Sequence, residues 1–179
     1  LAGARVPLKL TLAAEIGSAA AIEAPAEELR RRQLGNGYLL VELEPDTPAG
    51  VVEVALERLV SVGLMPVFAH PERCRAVRGQ TSVLDTARAA GAPIQVVAQS
   101  LTGRWGRETA EAAWNLLDTG RVDLLASDAH RHNQAGDGLL RVFEAISSRI
   151  GANAFHELTQ AHPAIVVGRS TKPRVPRTA

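Results

Sequence analysis

Chemistry in this chain concentrates where its apolar runs stop. Val122-Asp123-Leu124-Leu125-Ala126-Ser127-Asp128-Ala129-His130 is an apolar stretch of strand length that ends in an Asp and a His spaced i, i+2. In extended backbone that spacing puts both side chains on one face. A carboxylate and an imidazole are costly to bury alone, and a divalent metal is the simplest partner for both. The alternative is that Asp128 caps the next element and His130 is a surface loop residue. Other runs stop in the same manner: Glu15 ends the first, His70 the third, and Gln99 with Ser100 follows the fourth. A Glu, an Asp and two His form a mixed N/O donor set that suits Mn, Fe or Zn and disfavours a thiolate site. Arg73 stands three residues past His70, and Arg131 directly follows His130. A guanidinium beside a metal is suited to clamp phosphate or carboxylate, and an ion pair with Glu72 or Asp137 is an equally ordinary role for such an Arg.

The elements that must position these residues alternate. Leu8 to Ile16, Tyr38 to Leu43, Met65 to His70, Ile94 to Ala98 and the run from Val122 read as strands. Between them, Ala24 to Gln33, a helix opening at Thr47-Pro48 and ending at Gly63, Val83 to Ala90, and Arg107 to Leu117 read as helices. Leu139 to Ile150 and Ala152 to Ala161 are helical by pattern, Ile165 to Val167 a final short strand, and 171–179 a flexible Pro- and Arg-bearing tail. Strands alternating with helices imply an α/β fold with a parallel sheet, and the near-continuous apolar strands agree, because parallel strands are covered on both faces. In such folds the C-terminal strand ends make one rim, so residues distant in sequence converge there.

At 179 residues and 46% hydrophobic, the chain suffices for one full core, a single domain over 1–179. A net charge of +1 provides no field to recruit nucleic acid or an anionic membrane. One Cys excludes a disulfide framework and fits a reducing, cytoplasmic compartment, and no apolar run has membrane-spanning length. Cysteine-phosphatase chemistry at Cys74 would want an Arg after five intervening residues, and position 80 is Gln. Gly79 to Ser82 lacks the lysine of a P-loop, and no Gly-x-Ser-x-Gly elbow is present.

Three segments in order, Ala69-His70-Pro71-Glu72-Arg73, Gln99 to Gly106, and Leu116 to Val122 leading into Ala126-Ser127-Asp128-Ala129-His130, resemble the PHP (polymerase and histidinol phosphatase) superfamily. The resemblance is to its bacterial capsule and exopolysaccharide branch, the manganese-dependent protein-tyrosine phosphatases, and runs from Ala14-Glu15-Ile16 to His162-Pro163. It implies a distorted (β/α) barrel with a cluster of two or three Mn ions at the strand C-termini, Fe or Zn being possible substitutes. Carried over by motif, Glu15, His70, Asp128 and His130 would be metal ligands, and Arg73 would hold the phosphate. The implied partner is the phosphotyrosine tail of a bacterial tyrosine kinase or polysaccharide co-polymerase. The family opens with a His-x-His strand, a following Asp and a further His, none of which has a counterpart here, so an N-terminally incomplete barrel lacking its first β/α units is expected. Its second Arg, found after the Asp-x-His, has only Arg131 as a counterpart. An incomplete barrel would expose a strand edge and favour homo-oligomers. A histidinol-phosphatase-type enzyme acting on small molecules and a non-catalytic module of the same fold are the alternative readings.

Overall fold

A computed structural model describes residues 12–130 and 137–170. In chain order it contains β1 (Glu15–Gly17), α1 (Ser18–Glu23), α2 (Ala26–Arg31), β2 (Tyr38–Glu42), α3 (Gly50–Ser61) and β3 (Met65–Ala69). A 3-10 turn (Pro71–Arg73), α4 (Arg75–Gly79), a second 3-10 turn (Thr81–Leu84), α5 (Asp85–Ala89), β4 (Ile94–Val97) and α6 (Ala98–Leu101) follow. The described chain closes with α7 (Arg107–Asp118), β5 (Leu124–Ala126), α8 (Asp137–Ile150), α9 (Ala152–His156), a π-helical turn (Glu157–Ala161) and α10 (His162–Val166).

The five strands form one parallel sheet in the order β1-β2-β3-β4-β5. Each strand therefore lies beside its predecessor, and the order never reverses as it does in a doubly wound sheet. Register sorts the side chains. Ile16, Val41, Phe68 and Ile94 are paired across the strands on one face and join the main core with Leu29, Val52, Ala55, Leu59 and Leu116 from the helices. Tyr38, Val67 and Leu124 on the other face pack with Val166 in a second, smaller cluster. Both faces are thus covered, as the apolar strands require.

The left-handed Gly63 (φ 79°) and Gly120 (φ 62°) each turn the chain out of a helix towards the next strand. Among the described residues no helix is long and apolar enough to cross a membrane.

Several local expectations change. Thr47 does not cap α3, which starts at Gly50; its hydroxyl donates instead to the Glu44 carboxylate at 3.0 Å. Ala98–Leu101 is helical where a loop begins in the sequence reading, and the strand expected from Val122 starts at Leu124. Ile165 and Val166 belong to α10 rather than to a strand. Their β-branched preference is overridden by burial, and Asn36 Nδ2 donates to the Ile165 carbonyl at 3.1 Å. Positions 1–11, the stretch containing Arg131, and the tail 171–179 lie outside the described residues.

Candidate functional site

Polar residues from several strands meet near one edge of the sheet. Glu15 does not end its strand as the sequence pattern implies: it opens β1, and its side chain reaches along the sheet so that Oε1 lies 3.1 Å from Nε2 of His70, the residue that follows β3. His70 is 3% exposed, and its Nδ1 has no hydrogen-bond partner. Burial, the largest influence, favours its neutral form. The Glu15 hydrogen bond, aided by the charges of Glu15 and Glu72, outweighs burial and the Arg73 charge, so the imidazole titrates above its ordinary value.

The backbone at the rim is unusual. His70 (φ 34°) and Asp128 (φ 50°) both adopt left-handed conformations where the chain leaves a strand. Such residues are sparse outside glycine, cost free energy, and concentrate at functional sites. The bend also alters the expected geometry at the second motif. Because β5 ends at Ala126 and Asp128 is left-handed, Asp128 and His130 do not share a strand face. His130 is 76% exposed on its side chain, with Nδ1 3.0 Å from the Asp128 carbonyl and 3.7 Å from its Oδ1.

Asp128 is held from the other side. Its Oδ2 accepts a hydrogen bond from Arg73 Nη2 at 2.9 Å, and Arg73 stacks on the Trp105 ring with its guanidinium carbon 4.4 Å from the centroid. Arg73 thus pairs with Asp128 rather than with Glu72. The four expected ligands form two pairs, Glu15 with His70 and Asp128 with His130. Among the described residues, no group of three or more His, Cys, Asp or Glu is close enough to hold one ion. Glu15 and His70 do fit a metal. Two donors about 3 Å apart match adjacent ligands with bonds of about 2.0–2.2 Å, and a buried imidazole with an unpartnered nitrogen suits a ligand that awaits its second contact.

Glu42 was missed by the sequence reading. It ends β2, its Cα is in register with Gly17, and it therefore lies on the same sheet face as Glu15, one pleat closer to the rim. The same strand-end rule applied to β2 finds it.

Glu72 lies under the rim. It is 0% exposed, its Oε1 accepts from the Val97 amide at 3.1 Å, and its Oε2 has no hydrogen-bond partner. Burial, only partly offset by the nearby Ser100 hydroxyl and the Val97 amide, pushes its carboxyl well above the usual range. A carboxyl whose folded pKa is raised binds more protons in the native state between the unfolded and folded values. Stability is therefore lost as pH rises through that window, from about 4.3 upwards. Glu72→Gln keeps the acceptor for Val97 and removes the titrating group. It is expected to be more stable than the parent at pH 7 and to lose the decline above pH 4.3, as read from urea midpoints across pH. An unchanged midpoint at pH 7 would count against a Glu72 pKa raised by folding.

Cys74 is buried with its Sγ 3.4 Å from the Thr47 carbonyl, a core filler as expected. His162 is also structural, its Nδ1 lying 2.8 Å from the Asp123 carbonyl.

With this geometry in place, the relatives are informative. The family model described as capsular polysaccharide synthesis, CpsB/CapC, matches residues 2–168. Tyrosine-protein phosphatase YwqE of Bacillus subtilis (strain 168) is 32% identical over 108 residues, covering 58% of this chain and 42% of that protein. CapC of Staphylococcus aureus is 30% identical over 93 residues, covering 52% of this chain and 36% of its own length. Both matches thus take in less than half of the relative. A chain from the crystal structures of YwqE and of CpsB from Streptococcus pneumoniae, described as unique metal-dependent tyrosine phosphatases, superposes with a TM-score of 0.69. That match has 24% identity and covers 88% of this chain and 66% of the other. It shows that the fold is shared.

Proposed function

Since the chain belongs to the CpsB/CapC family of capsular polysaccharide synthesis, we propose that it is a metal-dependent protein-tyrosine phosphatase acting in capsule or exopolysaccharide regulation. The observation that carries this reading is the rim itself. Glu15 lies 3.1 Å from His70 Nε2, and a guanidinium, Arg73, stands beside Asp128 at the same strand ends. These are the donor types that hold a divalent ion and the fork that holds a phosphoryl group.

Glu15, His70 and Asp128 would hold the metal, with Glu42 on the same face and His130 beside Asp128 as further donors; Arg131 would be a second phosphate contact. A bound Mn, or Fe or Zn in its place, supplies Lewis-acid polarisation of the phosphoryl group and activation of water. The residues of the chain do the rest. Arg73 orients the phosphate monoester by a planar pair of N–H donors, and Trp105 keeps that guanidinium flat. Cys74 forms no phosphoenzyme in this scheme, because its thiol is buried against Thr47. The consecutive parallel strands support a distorted (β/α) barrel of PHP type. The substrate would be the phosphotyrosine tail of a tyrosine kinase in the cytoplasm.

The test is phosphate release from a phosphotyrosine peptide and from its phosphoserine counterpart, with Mn added or chelated. Mn-dependent release from the tyrosine peptide alone is expected, and His70→Ala should lose both the bound Mn and the release. Equal release from phosphoserine, or release that survives chelation, would overturn the reading.

A further inference from the structure

The segment from Gln99 to Gly106 is among the most distinctive in the sequence, yet the chemistry above uses only the face of Trp105. This indole is 48% exposed, unusual for so large an aromatic ring. Two guanidiniums attend it: Arg73 with its carbon 4.4 Å from the ring centroid, and Arg104 at 5.6 Å. The two cations are therefore at most about 10 Å apart, the sum of those distances.

Their electrostatic situations differ. The arginines around this corner are nearly all matched: Arg73 with Asp128, Arg75 with Asp46, Arg78 with Glu108 and Arg107 with Glu111. Among the described residues, no carboxylate pairs with Arg104. An exposed guanidinium resting on an exposed indole beside the phosphate-binding Arg is a cation awaiting an anion from elsewhere. A separate cleft of about 710 Å³ lies between α4 and α7, lined among others by Arg78, Gln80, Ser82, Glu108 and Asn115. Arg78 Nη1 donates to the Arg73 carbonyl at 3.2 Å and joins the cleft to the site. A polar cleft of that size can seat a short stretch of peptide.

We propose that Arg73, Trp105 and Arg104 form a two-anion clamp, in which Arg73 takes the phosphate and Arg104 takes an acidic side chain adjoining the phosphotyrosine. The inference rests on the phosphatase reading above and adds a preference to it: the peptide favoured is one with Glu or Asp next to the phosphorylated residue. A bound peptide that turns at the phosphotyrosine, rather than running fully extended, brings its phosphate and a neighbouring carboxylate to the two guanidiniums, and the indole that both of them touch keeps the forks oriented at little entropic cost.

The experiment measures fluorescence anisotropy of three labelled peptides binding to the Mn-loaded chain at low ionic strength. They share one non-hydrolysable phosphonate mimic of phosphotyrosine, flanked on both sides by Glu, by Gln or by Lys. An exposed ion pair predicts a roughly three- to five-fold tighter Kd for the Glu peptide than for the Gln peptide, fading as salt is raised. Arg104→Ala should bring the Glu-to-Gln ratio to one, and Arg104→Glu should invert the order so that the Lys peptide binds best. Because each ratio is internal to one protein, a general loss of affinity does not mimic the result. A Glu-to-Gln ratio near one in the parent chain, or a ratio unchanged in Arg104→Ala, overturns the clamp while phosphotyrosine binding stands. Failure of all three peptides to bind the parent overturns the phosphatase reading along with it.

Discussion

If the chain is the proposed metal-dependent phosphatase, replacing Arg73 by alanine is expected to lower its kcat/KM towards an aryl phosphate by about 10²–10³. That is the usual cost of removing one preorganised donor to a developing oxyanion. The geometry explains why the loss should be large. Arg73 is only 20% exposed on its side chain, its Nη2 is fixed on Asp128 at 2.9 Å, and its plane is fixed on Trp105 at 4.4 Å. A donor restrained by two contacts loses little freedom when phosphate arrives. Arg73→Lys should rescue poorly, since an ammonium keeps the charge but neither the fork nor the stack. Steady-state kinetics of both variants, with urea midpoints to establish folding, measures the effect. A loss under tenfold, or full rescue by lysine, would mean that Arg73 acts as a distant charge and does not grip the phosphate.

Phe68→Ala should cost about 3–5 kcal/mol of folding stability, the largest effect expected of any single change in the sheet. Phe68 is 0% exposed and heads the fully buried side chains by volume. It lies in β3, flanked in register by Val41 of β2 and by Ile94 of β4, and packs in the main core. Deleting its ring leaves a void that neither neighbouring strand can close without moving the sheet. A typical domain has only about 5–15 kcal/mol to lose. Phe68→Leu retains most of the volume and should cost less. Urea unfolding followed by circular dichroism gives both values, and a loss under about 1.5 kcal/mol for the alanine variant would show that the core relaxes around the site. His70 lies two residues on, so metal binding should weaken in parallel with stability.

Much of this architecture was legible beforehand because apolar runs and turn residues agreed. β2, β3 and β4 fall where Tyr38, Met65 and Ile94 begin, and α7 opens at Arg107 as the pattern requires. The approach of Glu15 to His70 was legible as well, since parallel strands run side by side, whereas the split of the four expected ligands into two pairs was not. What escaped the sequence depends on backbone angles and tertiary burial. Nothing in Ser-Asp-Ala-His announces that Asp128 takes a positive φ, and that one angle breaks the strand face it would share with His130, although His130 Nδ1 still lies 3.7 Å from its Oδ1. A short polar side chain tolerates this conformation better than most, so the residue type permits the bend without predicting it. Ile165-Val166-Val167 has strand composition, yet Ile165 and Val166 are helical because the face they bury is fixed by Tyr38 and Asn36, more than a hundred residues earlier. Ala98–Leu101 is a helix too short to leave a periodic signal, held where the Leu101 carbonyl accepts from Trp114 Nε1 at 3.1 Å. Glu42 was overlooked because it closes a strand of otherwise ordinary composition.

The consecutive order of the sheet also bears on how the protein is made. Every strand from β2 onward finds its hydrogen-bonding partner in the strand synthesised just before it. Among the described residues no pairing waits for a strand translated much later, so the separation between partners stays near the length of one β/α unit, which is still a long-range contact and slow to form beside local helical ones. Synthesis proceeds at about 5–20 residues per second and a domain folds as a unit once it has emerged. The residues of the rim therefore leave the ribosome in the order Glu15 and Glu42, then His70, then Asp128, and are brought together only when the last strand is available. Arg73 has emerged well before the carboxylate that ultimately holds it leaves the ribosome.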